Sequence, residues 1–535
     1  MKPLLSLLPA CSVHLQGPLG KILDLVIANR LKKADYPLMV DIFRKREERD
    51  GAWRSEFWGK IVRSAVYAWR STGDAELKAI LDATVTDILT TQTPDGRITS
   101  YPEERQTSRW DIWGRKYVML ALLAYYQEID PRPAIKEALI RMADDVIAQT
   151  KGNFFYCGEH SGLAASSIMR ALVEIYQLSG EPRHLEAVRK LAEKGCCATH
   201  NIFRQSEIGA LPAELGNGKS YEMTSCFQGL AALAMLEGDQ AALDIVHGYY
   251  EDVRDYEIAV TGVGGSKDVN GEFWYNGKRR QVRHDCGGCG ETCITATWLA
   301  FSRTMLEDYA DSTIADEMER SLYNALLGAT ATDGSNFVHI NPMLDGNGWK
   351  ALAPDQIGSI FHTPFDGNDC CRAQGPYGLA LAPAVAVMKS DEGYAVNLYE
   401  DLVADNVLKI SGGYPSNGHV EVTLLAEGDF ELALRVPAEF GCKINGIDAK
   451  GGQYARLRRR WKAGDVVVLD FDMAPRTVTS PCRGYTATAC GPLVMAKAVR
   501  NPVNCLKLAD GLVDFASAGM TNTPEDNFQV WFPRA

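Results

Sequence analysis

Apolar positions in the first three-fifths of the chain recur at helical spacing, and the runs come in pairs joined by short polar turns. Leu77, Leu81, Val85 and Ile88 follow one such turn, and Leu185, Val188 and Leu191 follow another; residues three and four apart share one helix face. The turns carry Gly73, Asp130, Gly180 and Gly238, which stand 57, 50 and 58 residues apart. A period of that length is one helical hairpin with its loops. Stacked hairpins build an open solenoid or a closed toroid. Solenoids keep their loops short and regular, whereas this chain carries long irregular insertions at 261–289 and 334–369, and loops of that length in a compact fold usually serve function. The pattern predicts an (α/α)6 toroid, or barrel, over residues 1–390.

Beyond about residue 390 the period falls to two. GYAVNLYEDL, NVLKISGG, HVEVTLLAEG, DFELALRVP, CKINGIDAK and DVVVLDFDM are short, β-branched runs between Gly, Asn or Pro turns, the composition of strands half-buried in a sheet. They predict an antiparallel β-sandwich over 391–500, giving an α + β multidomain chain. The segment 501–535 is punctuated by Pro and Asn and receives no assignment.

Composition narrows the function classes. The net charge of −12 disfavours a nucleic-acid surface, which needs clustered Lys and Arg, and no apolar run reaches the ~20 residues of a membrane span. The opening MKPLLSLLPAC has too short an apolar run for a signal segment and leads straight into amphipathic sequence at Lys21–Leu31. Fourteen cysteines, most of them single in apolar contexts, read as buried thiols rather than a disulfide framework, so a reducing, cytoplasmic setting is expected. A homodimer is the base-rate expectation for assembly.

Candidate chemistry concentrates in HDCGGCGETC, His284–Cys293, joined at a distance by Asp369-Cys370-Cys371. Its glycines permit an irregular backbone that turns several ligands to one point. A helix predicted from Ile294 to Tyr309 places Cys293 at a helix start, where the dipole favours a thiolate. Thiolates with the Glu291 carboxylate suit a tetrahedral Zn²⁺. Spacing alone leaves rivals open: Cys286 and Cys289 as a zinc knuckle or iron–sulfur start, and Cys370-Cys371 as buried thiols or a vicinal disulfide. The pair Cys196-Cys197, near His200, reads as core. In GVGGSKDVNGEFW, Glu272 precedes Phe273 and Trp274, a setting expected to desolvate the carboxyl toward general-acid range.

These residues resemble glycoside hydrolase family 127, the β-L-arabinofuranosidase group. Matching segments run through nearly the whole chain: Gln92–Tyr101, Thr261–Glu272, Glu291–Cys293, Met318–Leu327, Cys370-Cys371, Val396–Asp401, Arg459–Asp465 and Cys490–Ala496. The resemblance implies that Glu291, Cys293, Cys370 and Cys371 bind zinc, that Cys370 is the nucleophile and that Glu272 is the acid/base of a retaining, exo-acting glycosidase on an oligosaccharide or glycoside. Histidines of the family's barrel helices are missing here; Arg115, Lys116 and Tyr117 stand in the matching stretch. Arg115, Tyr117, Tyr221 and Trp274 are therefore the candidate sugar contacts, and Arg115 suggests an acidic sugar. The alternatives are a non-catalytic carbohydrate-binding protein with structural zinc, an (α/α) toroid uronyl hydrolase or lyase, and a thiol redox sensor.

Overall fold

The computed structural model describes residues 1–48, 53–265, 272–282, 290–339, 369–482, 484–497, 508, 511–518 and 530–533. Six inner helices form a ring: α2 (Ser55–Thr72), α4 (Asp111–Glu128), α6 (Met169–Ser179), α8 (Ser220–Glu237), α10 (Thr292–Tyr309) and α12 (Asp369–Ala386). Each packs on the next, and α12 returns to pack on α2. Outer helices α1 (Pro18–Val26), α3 (Ala75–Leu89), α5 (Pro133–Thr150), α7 (Pro182–Lys194), α9 (Gln240–Asp252) and α11 (Ser312–Arg320) cover the ring. Leu77, Leu81, Val85 and Ile88 of α3 are fully buried against it, as their spacing requires.

The hairpin turns explain which end carries chemistry. Gly73, Gly180 and Gly238 end α2, α6 and α8 in the left-handed conformation, with φ of 65°, 72° and 75°, which costs glycine little because it has no Cβ. Asp74 and Asp239 then cap α3 and α9 by accepting from the backbone N–H of Leu77 and Ala242. Five of the six inner helices thus hand over to an outer helix at one end of the ring, and α12 leads there into strand Val387–Lys389. The inner N-termini, with their unpaired N–H groups and positive dipole ends, gather at the other.

Two sheets follow. One runs, in spatial order, Ser6–Leu7, Val387–Lys389, Gly393–Val396, Gly428–Val436 and Gln453–Trp461; the other runs Ile447–Asp448, Cys442–Ile444, Val466–Phe471, His419–Leu424, Leu408–Ser411, Leu402–Ala404 and Val13–Leu15. All their pairings are antiparallel except Gly393–Val396 on Gly428–Val436. Strands Ser6–Leu7 and Val13–Leu15, expected within the toroid, complete one edge of each sheet. Strands Pro475–Thr479, Tyr485–Cys490 and Leu493–Ala496 leave the sandwich and build a third sheet with Val513–Asp514 and Phe532–Pro533. Alternation in burial persists in Pro475–Thr479 but gives way to burial throughout in Leu493–Ala496, and alternation reports burial on one face, not which sheet a strand joins.

One buried core runs from the toroid into the two sheets, and a polar lock crosses the same boundary. Arg435 is wholly buried; its Nη1 and Nη2 bond Asp316 and Glu319 of α11 at 2.5 Å each, and its Nε donates to the Asn397 carbonyl at 2.6 Å. Burial pushes the Glu319 carboxyl up to about 7 against the pull of Arg435. Among the described residues no helix is long and apolar enough to cross a membrane. Removing the guanidinium leaves two carboxylates facing the interior, so Arg435→Met is expected to lower unfolding free energy by about 3–5 kcal/mol. Guanidinium-chloride unfolding measures it, and a change within experimental scatter would contradict this account.

Candidate active site

The chemistry sits at the N-terminal end of the ring. Glu291 is the N-cap of α10 and Cys293 lies in its first turn, while Cys370 and Cys371 open α12. Because α10 and α12 are neighbours, one ligand atom from each of these four residues falls within 4.8 Å of the others. The Cys371 Sγ lies 3.4 Å from Glu291 Oε1 and 3.9 Å from the Cys370 Sγ, which is 4.0 Å from the same oxygen. Glu291 is 1% exposed, and its Oε2 has no hydrogen-bond partner among the described residues. A buried carboxylate oxygen without a donor costs free energy unless a cation meets it. The donor set of one carboxylate and three thiols suits a thiophilic metal, and this site fits one. Cys286 and Cys289 lie outside the described residues.

The thiols differ in access. Cys293 and Cys371 are fully buried, while Cys370 keeps part of its surface. Hydrogen bonds from the Cys293 and Cys371 thiols, helped by His339 and the Lys60 ammonium, hold the Cys370 thiol well below its ordinary range; burial drives Cys293 and Cys371 well above it. Burial, and then the nearby Glu272 charge, push the Glu291 carboxyl up to about 8.

Glu272 is held differently from the sequence expectation. Its carboxylate is one-third exposed and is paired with the Lys219 ammonium, itself 3% exposed. A single bridge between Lys219 and Phe273 carries the backbone: Ser220 N–H and Oγ both donate to the Glu272 carbonyl, and Trp274 N–H donates to Gly218. An ammonium, rather than desolvation by neighbouring rings, fixes this group. Trp274 is 3% exposed and turns its indole N–H onto Tyr249 Oη at 2.9 Å, so it stands in the wall. Rings of Trp110, His160 and Phe273 lie beside Lys219, and burial keeps His160 down at about 4, hence neutral near pH 7.

Of the other candidate sugar contacts, Tyr117 and Tyr221 meet through their hydroxyls and line a cavity of about 450 Å³ in the bore, one helical turn below the cysteines. Arg115 does not join them. Its guanidinium binds Asp111 at 2.7 Å and, across to α5, Asp145 at 2.9 Å and Gln149 at 3.0 Å; it ties an inner helix to its outer partner. One residue along the helix turns the side chain by about 100°, and Lys116 is the one facing the cavity.

Several participants gave no recognisable motif. Lys219 and Glu222, 3.9 Å apart, sit at the start of a helix buried almost all round. Glu56 binds Lys60 at 2.9 Å and accepts from the Trp113 indole. His339 places Nδ1 3.3 Å from the Cys371 Sγ, and its carbonyl accepts from Thr292 N–H. Only i,i+4 spacing could have suggested the Glu56–Lys60 pair.

Comparison with known proteins identifies the family. Residues 24–380 match the family described as "Beta-L-arabinofuranosidase, GH127 catalytic domain", and 395–473 match its "middle domain". A curated relative, the non-reducing end β-L-arabinofuranosidase of Bifidobacterium longum subsp. longum, is 24% identical over 85% of this chain and 77% of its own length. Among solved structures, a GH127 β-arabinofuranosidase superimposes with a TM-score of 0.78 at 18% identity over 99% of this chain and 98% of that one. A GH127 β-L-arabinofuranosidase of Geobacillus stearothermophilus T6 gives 0.72 at 19% over 97% and 99%. None of these similarities supports a non-catalytic sugar binder, a uronyl hydrolase or lyase.

The cluster predicts a metal titration. Cadmium added to reduced protein should give the ultraviolet thiolate-to-metal charge-transfer band, saturating at about one equivalent. In Cys371→Ala the band should weaken and Glu291→Gln should need higher cadmium. Saturation with no such band would refute a thiolate site.

Proposed function

The chain belongs to glycoside hydrolase family 127 and is a glycoside hydrolase, and we propose that it is a retaining, exo-acting enzyme, β-L-arabinofuranosidase-like in mechanism, with Cys370 as nucleophile and Glu272 as acid/base. One observation carries this reading: of the clustered thiols, Cys370 alone joins exposed surface to a lowered thiol pKa. The nucleophile must be ionised and reachable at once.

In the first step the Cys370 thiolate bonds to the anomeric carbon as the bond from that carbon to the leaving oxygen breaks, and Glu272 gives its proton to that oxygen. In the second, Glu272 takes a proton from water, the water oxygen bonds to the anomeric carbon, and the carbon–sulfur bond breaks to return the thiolate. Glu291, Cys293, Cys370 and Cys371 would hold Zn²⁺, which when bound supplies positive charge that keeps thiols ionised near neutral pH. Lys219 orients Glu272 and offsets the negative charge that Glu291 and the thiolate place beside it. Eleven free thiols among the described cysteines, three of them in the site, support a reducing compartment such as the cytoplasm.

The test is elemental analysis together with hydrolysis of p-nitrophenyl glycosides, L-arabinofuranosides included. Wild type should carry about one zinc per chain. Cys370→Ser and Glu272→Gln, both folded, should lose at least about a hundredfold in kcat/KM; a fully active zinc-free enzyme would overturn the mechanism. Lys219→Met should lower kcat by about tenfold or more and alter the pH–rate profile, with KM little changed. A loss confined to KM would make Lys219 a substrate contact instead.

A further inference from the structure

A run of aromatic rings leads from the thiols out to solvent. Lys60 and Tyr221 lie within electrostatic reach of Cys293, with the Lys60 ammonium 4.7 Å from the Tyr221 ring centre. Between ring centres, Trp113 lies 5.0 Å from Tyr221, Trp110 5.8 Å from Trp113, His160 5.4 Å from Trp110 and Phe273 6.0 Å from His160. Burial falls along the same path: Lys60, Tyr221 and Trp113 are buried, whereas Trp110, His160 and Phe273 each keep open surface. These outer rings gather around the partner of the proposed acid/base, with the Lys219 ammonium 5.5 Å from the Trp110 ring centre and 5.3 Å from that of Phe273.

The backbone that carries two of these rings is held in a conformation that side chains resist. Thr107 and Arg109, before α4, and His160 and Ser161, before α6, are all left-handed, with φ of 61°, 46°, 55° and 54°. A Cβ disfavours that region, and non-glycine residues kept there cluster at ligand clamps. The two loops are pinned together: Glu159 N–H donates to the Arg109 carbonyl at 3.0 Å, and a Cβ on Gly158 would stand 2.7 Å from that oxygen. Trp110 N–H donates to Oη of the fully buried Tyr101 at 3.3 Å. Asn217 Nδ2 donates to His160 Nδ1 at 2.8 Å, so the hydrogen of the neutral ring sits on Nε2, ready to be donated. Rings fixed in place with a donor between them suit a polyhydroxylated ring, whose C–H face packs on an aromatic face and whose hydroxyls take hydrogen bonds.

We propose that Trp110, His160 and Phe273 form the leaving-group subsite and that it takes a second sugar, so that the substrate is an oligosaccharide and not a glycoside of a small alcohol. This rests on the retaining-glycosidase reading: the terminal sugar lies against Cys370, the leaving oxygen must meet Glu272, and the group beyond that oxygen falls on the outward side, among these rings. An aryl leaving group also stacks on Trp110, but it offers the His160 donor no acceptor beyond the leaving oxygen.

The test compares kcat/KM for substrates that share a terminal sugar and differ in the leaving group: a methyl glycoside against disaccharides whose second sugar is L-arabinose or D-galactose. The pairs are β-L-arabinofuranosides and glycosides of every other sugar released from the p-nitrophenyl panel. With metal-loaded wild type the better disaccharide should exceed the methyl glycoside by about tenfold or more, the scale of one good aromatic contact. Trp110→Ala should cut that preference to within about twofold, and Trp110→Phe should keep most of it. His160→Ala should lower it by about threefold or more, the scale of one hydrogen bond. Thermal melts of the three variants control for folding. A methyl glycoside cleaved as well as the disaccharides, or a preference that survives in folded Trp110→Ala, would overturn the proposal, while hydrolysis that depends on Cys370 leaves the glycosidase reading standing. Hydrolysis of neither member of any pair would overturn both. A disaccharide preference that Trp110→Ala abolishes, with hydrolysis indifferent to Cys370→Ser, would sink the thiolate reading and keep the subsite.

Discussion

Everything at the reactive end depends on α12 packing between α2 and α10. That contact closes the ring and carries Cys370 and Cys371 to the first turn of α10, across 77 residues of chain from Cys293. The fit is close: a Cβ on Gly378 would stand 2.8 Å from Leu326 and 3.3 Å from Leu299, and one on Gly375 only 2.4 Å from Phe337. Ser64 of α2 donates to the Ala373 carbonyl at 2.8 Å. Small residues at these points bring helix axes near enough for short side chains to converge, since thiol and carboxylate ligands reach only a few ångström from their backbones.

Closure also concentrates charge. Inner helices end their positive dipoles at the site, which favours thiolate and carboxylate, and most of the side chains around it are buried. In that setting Lys60 answers Glu56, and Lys219 answers Glu222 and Glu272. A mismatch in the count therefore means more here than on a surface, where solvent screens it. Glu291 Oε2, without a hydrogen-bond partner among the described residues, is such a mismatch and calls for a cation.

Much of this was legible in the sequence, and the parts that were not share a cause. Hairpin periodicity placed the inner and outer helices because burial at every third or fourth position is what makes them pack. Glu291, Cys293, Cys370 and Cys371 were named together by the family resemblance, spacing alone having left Cys286 and Cys289, buried thiols or a vicinal disulfide open, and the structure gathers the four. Phase was harder: Arg115 and Lys116 are adjacent cations on a helix buried almost all round, so no apolar stripe tells which one faces the bore. Lys219 and His339 act through neighbours distant in sequence, and a lone lysine or histidine carries no local mark of its partner. Two short N-terminal strands joined the sandwich by pairing across nearly 400 residues, as Leu7 does with Met388.

A thiolate nucleophile, the role proposed for Cys370, faces a conflict that this site would resolve by dividing the work. Lowering a thiol's pKa raises the ionised fraction but weakens the thiolate as a nucleophile, by roughly half the change on a logarithmic scale. The same weakening makes it a better leaving group when water arrives. Without a metal, Cys293 and Cys371, fully buried beside it, serve the first need by donating to Cys370; with Zn²⁺ bound the cation would serve it instead, and of the three thiols only Cys370 keeps exposed surface. A carboxylate in its place would be ionised without help but would give up sulfur's polarisability and its affinity for a thiophilic metal. Three buried partners around one reachable sulfur would thus be consistent with turnover even where every metal ligand came from the protein, because on the proposed mechanism the reacting atom would itself be one of the ligands.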